Sequence, residues 1–326
     1  MVLSPQADYR PPRHFRNGHI QTIYPTLFRP LPHTNPERRR IETPDGDFLD
    51  IDYHLSTADR HGLLAVVSHG LEGNARKKYP LGMARHLTSC GWDVICFNFR
   101  GCSGEPNRML RFYHSGVTDD LYTVIQYGLA QGNYSTVALI GFSMGGNQTL
   151  KYLGENPTIV PVEVQAAVTF SVPCDLAGSA RRLEAWQNKL YMMYFMRGLR
   201  EKIRRKSTMF PGMLDTDGLD DICTFFPFDD RYTAPIHGFR DAADYYRRCS
   251  SLQFLPAIRV PTLLVQAQDD PFLPPSCYPK EEAAVNRSLS LLTPSHGGHV
   301  GFVQLNSDNR YWSEELAGQF LADVVG

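Results

Sequence analysis

Beyond residue 63, short and wholly apolar runs alternate with segments of helical periodicity, and few folds accommodate that alternation. Residues 64–67, 94–99, 137–141, 164–170, 262–266 and 289–292 read as strands. Between them, 81–90, 119–130 and 147–153 read as helices. In the second of these, Leu121, Val124, Ile125 and Leu129 fall on one face. Strands without alternating polar positions are buried on both sides, which requires a largely parallel sheet with helices on both faces. Asp45-Gly46, between RRIETP and FLDIDYHL, adds a hairpin ahead of these units. The stretch from about 174 to 256 is helical in period and has no strand, so it reads as a cap inserted into a single domain spanning 1–326. Residues 1–37, rich in proline and arginine, read as an irregular arm.

Within this frame the strand run VALI leads directly into Gly141-Phe142-Ser143-Met144-Gly145-Gly146, and a helix follows. G-x-S-x-G between a strand and a helix is the pattern of a nucleophile elbow. Glycine is required there because the sharp turn brings backbone against backbone. The helix N-terminus then favours negative charge developing beside Ser143.

A serine hydroxyl is a weak nucleophile and needs a base, which in turn needs an orienting acid. In this kind of sheet they are expected in the order Ser, Asp, His. Asp270 leaves a late strand in the turn Asp269-Asp270-Pro271-Phe272-Leu273-Pro274 and is the expected acid, with Asp269 capping the turn. His299 closes Ser295-His296-Gly297-Gly298-His299 and is the expected base, with His296 hydrogen-bonded locally. The long gap from Ser143 to Asp270 holds the cap, and the short one from Asp270 to His299 fits one helix and one strand. The backbone N–H groups of Met144 and Leu71, the latter in Ser68-His69-Gly70-Leu71-Glu72-Gly73, are the expected oxyanion donors. His114 and Asp119 read as polar groups at a helix entry, Phe99–Glu105 as a turn beneath the site, and Cys102 as a small buried residue.

Charge and cysteine content remove other function classes. Lys+Arg 33 against Asp+Glu 34 gives a net charge of −1 and no global attraction for nucleic acid. Seven cysteines, an odd number without a CxxC pair, argue against a disulfide framework or a zinc site. No cofactor or metal is expected, since His296 and His299 lack a third ligand at metal spacing. The first residues carry no apolar signal core, and no run of about 18 apolar residues occurs anywhere, so a cytoplasmic protein is expected.

The strings FRNGHIQT, HGLEG, FRGCSGEPNR, YHSG, GFSMGGN, FDDRYTAPIHGF, DYYRRCS, DDPF and HGGHVGF together resemble the YheT-like branch of the α/β-hydrolases. That branch is similar to eukaryotic acylglycerol and phospholipid hydrolases with an α/β-hydrolase domain. The resemblance runs over nearly the whole chain. It implies the α/β-hydrolase fold, a serine hydrolase with Ser143, Asp270 and His299 as relay residues, and activity on carboxylic esters. Some relatives of this kind transfer the acyl group to alcohols, which is the alternative expectation; a non-enzymatic binding protein on the same fold is a third. The leading membrane helix of the eukaryotic relatives is lacking, so stable membrane residence is not expected. The expected partner is a small ester, lipid-like in one reading.

The cap stretch 181–206 carries nine Lys/Arg against two Glu around an aromatic and Met-rich centre. Its apolar face is expected to pack over the site with its charges in solvent. Peripheral membrane contact through this basic amphipathic segment is the alternative.

Overall fold

The computed structural model describes residues 9–56, 58 and 62–326; residues 1–8 of the expected arm lie outside them. Among the described residues, eight strands form one sheet in the order β1-β2-β4-β3-β5-β6-β7-β8. They are β1 (Glu37–Glu42), β2 (Phe48–His54), β3 (Leu63–Ser68), β4 (Asp93–Phe97), β5 (Thr136–Phe142), β6 (Val164–Phe170), β7 (Thr262–Val265) and β8 (Leu289–Leu292). From β4 to β8 all neighbours are parallel, and β1 and β2 add an antiparallel edge. Helices α1 (Gly18–Phe28), α2 (Lys78–Ser89), α3 (Asp119–Gln131) and α4 (Met144–Glu155) precede β6. Between β6 and β7 lie α5 (Leu176–Leu183), α6 (Lys189–Met209), α7 (Phe225–Phe228), α8 (Ala234–Ile236) and α9 (Ala242–Cys249). α10 (Lys280–Val285) and α11 (Trp312–Val325) complete the chain.

The period-2 geometry of a strand explains why these runs are apolar throughout. In β3, Leu64 and Val66 pack toward Leu121, Val124 and Leu150 of α3 and α4, whereas Ala65 and Val67 pack toward Met83, Leu87 and Leu321 of α2 and α11. Each such valine, leucine or methionine side chain contributes about 1.5–3 kcal/mol on burial. The central strands β3, β5 and β6 therefore form the rigid floor on which the loops at their C-terminal ends are displayed.

Strand β4 ends two residues before the expected limit because Asn98 turns the chain. Its side-chain amide donates to Asp50 O, and its carbonyl oxygen accepts from Ala75 N–H. Helix α4 starts at Met144, three residues earlier than periodicity alone placed it; Gly145 and Gly146 form no apolar pattern, yet their backbone continues the helix.

The arm requires a larger correction. Residues 18–28 form a helix, not an irregular segment, started by Asn17, whose side chain accepts from His19 N–H and Ile20 N–H. Pro25 and a helix face that is largely exposed concealed it from a reading based on apolar period.

Candidate active site

The elbow is built as its glycines require. Ser143 sits at φ 53° and ψ −119°, a strained region for a residue with a side chain, and its N–H donates to Phe170 O at the end of β6. A Cβ on Gly141 would stand 2.6 Å from Gly146 Cα, and one on Gly145 would stand 2.5 Å from Ser68 O. Side chains there would push α4 off β3 and β5, so the serine could not stay at the head of the strand.

Ser143, His299 and Asp270 are brought into one hydrogen-bonded line. Ser143 Oγ lies 2.8 Å from His299 Nε2, and His299 Nδ1 lies 2.9 Å from Asp270 Oδ2 and 3.1 Å from Oδ1. An ionised carboxylate can only accept, so Nδ1 carries a proton and Nε2 is the acceptor for the serine hydroxyl. Asp270 is buried, and its Oδ1 also accepts from Phe272 N–H at 2.9 Å. Asp269 is held apart from this line. It accepts from Gly298 N–H at 2.8 Å and pairs with His296 Nδ1 at 3.3 Å, fixing the histidine loop. Among the described residues no group of three His, Cys, Asp or Glu stands close enough to hold a metal.

The loop after β3 lies beneath the serine. His69 is buried, accepts from Phe99 N–H at 3.2 Å and donates to Gly70 O at 2.7 Å. Burial holds it neutral by lowering its pKa to about 3. Gly70 N–H donates to Tyr79 and Glu72 N–H to Tyr113, while Leu71 N–H, between them, has no hydrogen bond among the described residues. Met144 N–H is the first amide of α4 and also lies at the cavity. Both amides thus border the space in front of Ser143.

Sequence reasoning missed the part played by α1. His299 N–H donates to Thr22 Oγ1 at 2.9 Å, and Val303 N–H donates to the buried Gln21 Oε1 at 2.8 Å. Gly298 has no room for a Cβ, which would stand 2.4 Å from Gly18 O. From the sheet side, Ser171 Oγ accepts from Val300 N–H at 2.9 Å. The opposite end of α1 is tied down by a buried pair, Arg29 with Glu314 of α11, at 2.6 Å. The string FRNGHIQT was the only signal of this role.

An apolar cavity of roughly 760 Å³, part of it open to solvent, extends from Ser143 and His299 beneath the helices that follow β6. Phe112, Leu176, Leu183, Phe195, Leu199 and Phe225 give it its character. α6 turns Met192, Met196, Leu199 and Ile203 inward and leaves Leu190, Met193 and Tyr194 exposed. His114 lines the cavity wall, and burial keeps it neutral by holding its pKa well below the usual value. Asp119 pairs with Arg111 at 2.8 Å instead. The Cys102 thiol, raised to about 11 by burial, is no nucleophile at neutral pH.

Asp229 also reaches this cavity, and burial raises its carboxyl from 3.8 to about 6. The unfolded chain releases that proton near pH 4 and the folded one near pH 6. Stability therefore falls as pH rises through this window, and the ionised side chain costs about 3 kcal/mol at neutral pH. Asp229→Asn is expected to raise the melting temperature at pH 8 and leave it nearly unchanged at pH 4. Calorimetry at the two pH values checks this, and a lowered value at pH 8 contradicts it.

This mixed, mainly parallel sheet, with a serine on the strand–helix elbow and an acid and a histidine on the later loops, is an α/β-hydrolase architecture. A family model described as alpha/beta hydrolase fold matches residues 66–208. YheT of Escherichia coli (strain K12) is 38% identical over 304 residues, covering 92% of this chain and 88% of the relative. Phospholipase ABHD3 of Bos taurus is 30% identical over 290 residues, covering 86% and 70%. The solved esterase Pf2001 of Pyrococcus furiosus superposes with a TM-score of 0.60 at 18% identity, covering 90% of this chain and 94% of that one. The chain belongs to the α/β-hydrolases, in the branch that includes YheT. Among the described residues no helix is long and apolar enough to cross a membrane.

Proposed function

We propose that this chain hydrolyses carboxylic esters through an acyl-enzyme on Ser143. The observation that carries the reading is the line Asp270–His299–Ser143 at the end of an apolar cavity. His299 Nε2 takes the hydroxyl proton as Ser143 Oγ bonds to the ester carbonyl carbon, and Asp270 stabilises the imidazolium that forms. The oxyanion is held by Leu71 N–H and Met144 N–H, each worth about 3 kcal/mol to the transition state. His299 then protonates the leaving alcohol, and water, deprotonated by the same imidazole, releases the acid. The relatives' names, a phospholipase and a yeast monoacylglycerol lipase, support an ester with an acyl chain as substrate, and the apolar cavity suits one. A fluorophosphonate probe is expected to label the native chain and not Ser143→Ala. Undiminished labelling of that variant would falsify the reading. An alcohol can take the place of water in the second half, and the product ratio with alcohol titrated in measures that branch.

The contact from Thr22 gives a prediction of its own. Thr22→Val keeps the shape of α1 but removes the acceptor for His299 N–H. Since a small misplacement of a reacting group is costly, kcat is expected to fall about tenfold, with KM and melting temperature little changed. Steady-state kinetics on a soluble ester check this, and native kcat in the variant contradicts it.

A further inference from the structure

Asp229 places a carboxylate in a mainly apolar cavity wall. It opens a π-helical turn, Asp229–Thr233, within the string FDDRYTAPIHGF, whose role the reaction described above leaves unused. Turns of this kind are rare and are frequent at functional sites, because the extra residue re-aims a side chain. Thr233 Oγ1 donates to its Oδ1 at 2.6 Å, and Tyr246 of α9 donates to its Oδ2 at 2.5 Å. Those bonds fix the carboxylate but do not neutralise it, and no lysine or arginine among the described residues lies within ion-pair distance. Although remote from the outer surface, the side chain remains accessible, because the cavity that holds Ser143 and His299 extends to it.

A carboxylate offers about four acceptor positions, and the two protein hydroxyls occupy two of them. The remaining positions have no partner among the described residues. A substrate donor placed there forms a charge-assisted hydrogen bond, about twice as strong as a neutral one, in surroundings of lower dielectric than bulk water. A plain alkyl chain in the same place leaves the charge unsolvated. Discrimination of this type is large because the competing ligand leaves a buried polar group unpaired.

We infer that Asp229 is a specificity-determining residue, accepting a hydrogen bond from a hydroxyl or ammonium group that the substrate carries away from its ester. This rests on the ester-hydrolase reading, and its test separates the two. Matched esters are compared in which the chain end is alkyl, hydroxylated or aminated, the substituent placed on the acyl or the alcohol side, over a series of chain lengths. At one length the native enzyme is expected to prefer a donor-bearing ester over its alkyl partner by about tenfold in kcat/KM. In Asp229→Asn that preference is expected to collapse while alkyl-ester cleavage is retained. Whichever donor gives the larger preference identifies the group. Tyr246→Phe, which keeps the carboxylate, is expected to retain the preference. If the alkyl esters are cleaved with no preference at any length, or if Asp229→Asn slows all esters equally, the inference is overturned and the ester-hydrolase reading stands. If no ester is cleaved, both are overturned.

Discussion

Replacing Ser143 by alanine is expected to lower kcat on any ester substrate by about 10⁵–10⁶, the largest functional effect of any single change. The size follows from the way the relay works. On the proposed mechanism there is no acyl-enzyme without Oγ, and what remains is water attacking an ester held against the Leu71 and Met144 amides. Such residual catalysis amounts to about 10³–10⁴ over the uncatalysed reaction. On the proposed mechanism Ser143, His299 and Asp270 act as one unit, so their losses are not expected to add. The double variant Ser143→Ala, His299→Ala is expected to be no slower than Ser143→Ala alone, and Asp270→Asn to lose less than either single change. Steady-state rates on one activated ester measure the set. A double variant a further hundredfold slower would mean that His299 contributes through some other route.

The second large effect is on stability and involves Arg100. Its guanidinium is buried, with side-chain exposure of 1%, and meets three carboxylates. It pairs with Asp120 of α3 at 2.6 Å, Asp45 at 2.8 Å and Asp47 at 3.1 Å, the last two from the turn between β1 and β2. Asn107 Nδ2 adds a bond to Asp47 at 2.5 Å. Arg100→Met keeps much of the stem but leaves Asp47 and Asp120 buried without their cation. Removing one partner of a buried ion pair costs about 3–5 kcal/mol, chiefly because the charge left behind has no counterpart. In a chain of this length that corresponds to roughly 4–7 °C in melting temperature. Ser143, His299 and Asp270 lie outside this network, so kcat at 20 °C is expected to hold. Calorimetry and kinetics on one preparation test both halves, and an unchanged melting temperature would contradict the assignment.

The Arg100 network shows what a sequence can and cannot disclose. FRGCSGEPNR was readable as a turn after a strand, but nothing in its spacing points to Asp45, Asp47 or Asp120. Those partners come together only through the sheet order, which sets β2 beside β4. The serine, by contrast, was legible because a strained strand–helix turn admits few residues, and glycine at 141 and 145 records that constraint locally. Asp270 and His299 were legible by order and flanks, and the structure brings them to Ser143. Helix α1 was not legible, since its function lies in polar atoms of Gln21 and Thr22 rather than in an apolar stripe. Asp229 was passed over for a related reason. One acid of an Asp-Asp pair in a helical segment reads as solvated surface until packing shows that it borders a cavity.

The pins on His299 have a consequence for the order in which the molecule is made. Thr22 and His299 are 277 positions apart, and Gln21 and Val303 are 282 apart. On the ribosome the elbow and the whole cap emerge well before the histidine loop, while α1 waits without the loop that it will hold. The nascent chain therefore carries Ser143 through a further 156 positions before its proposed base is made. Contacts of such sequence separation close late and slowly. On the proposed reading, competence as a nucleophile comes late in folding, when α1 meets the loop that carries His299.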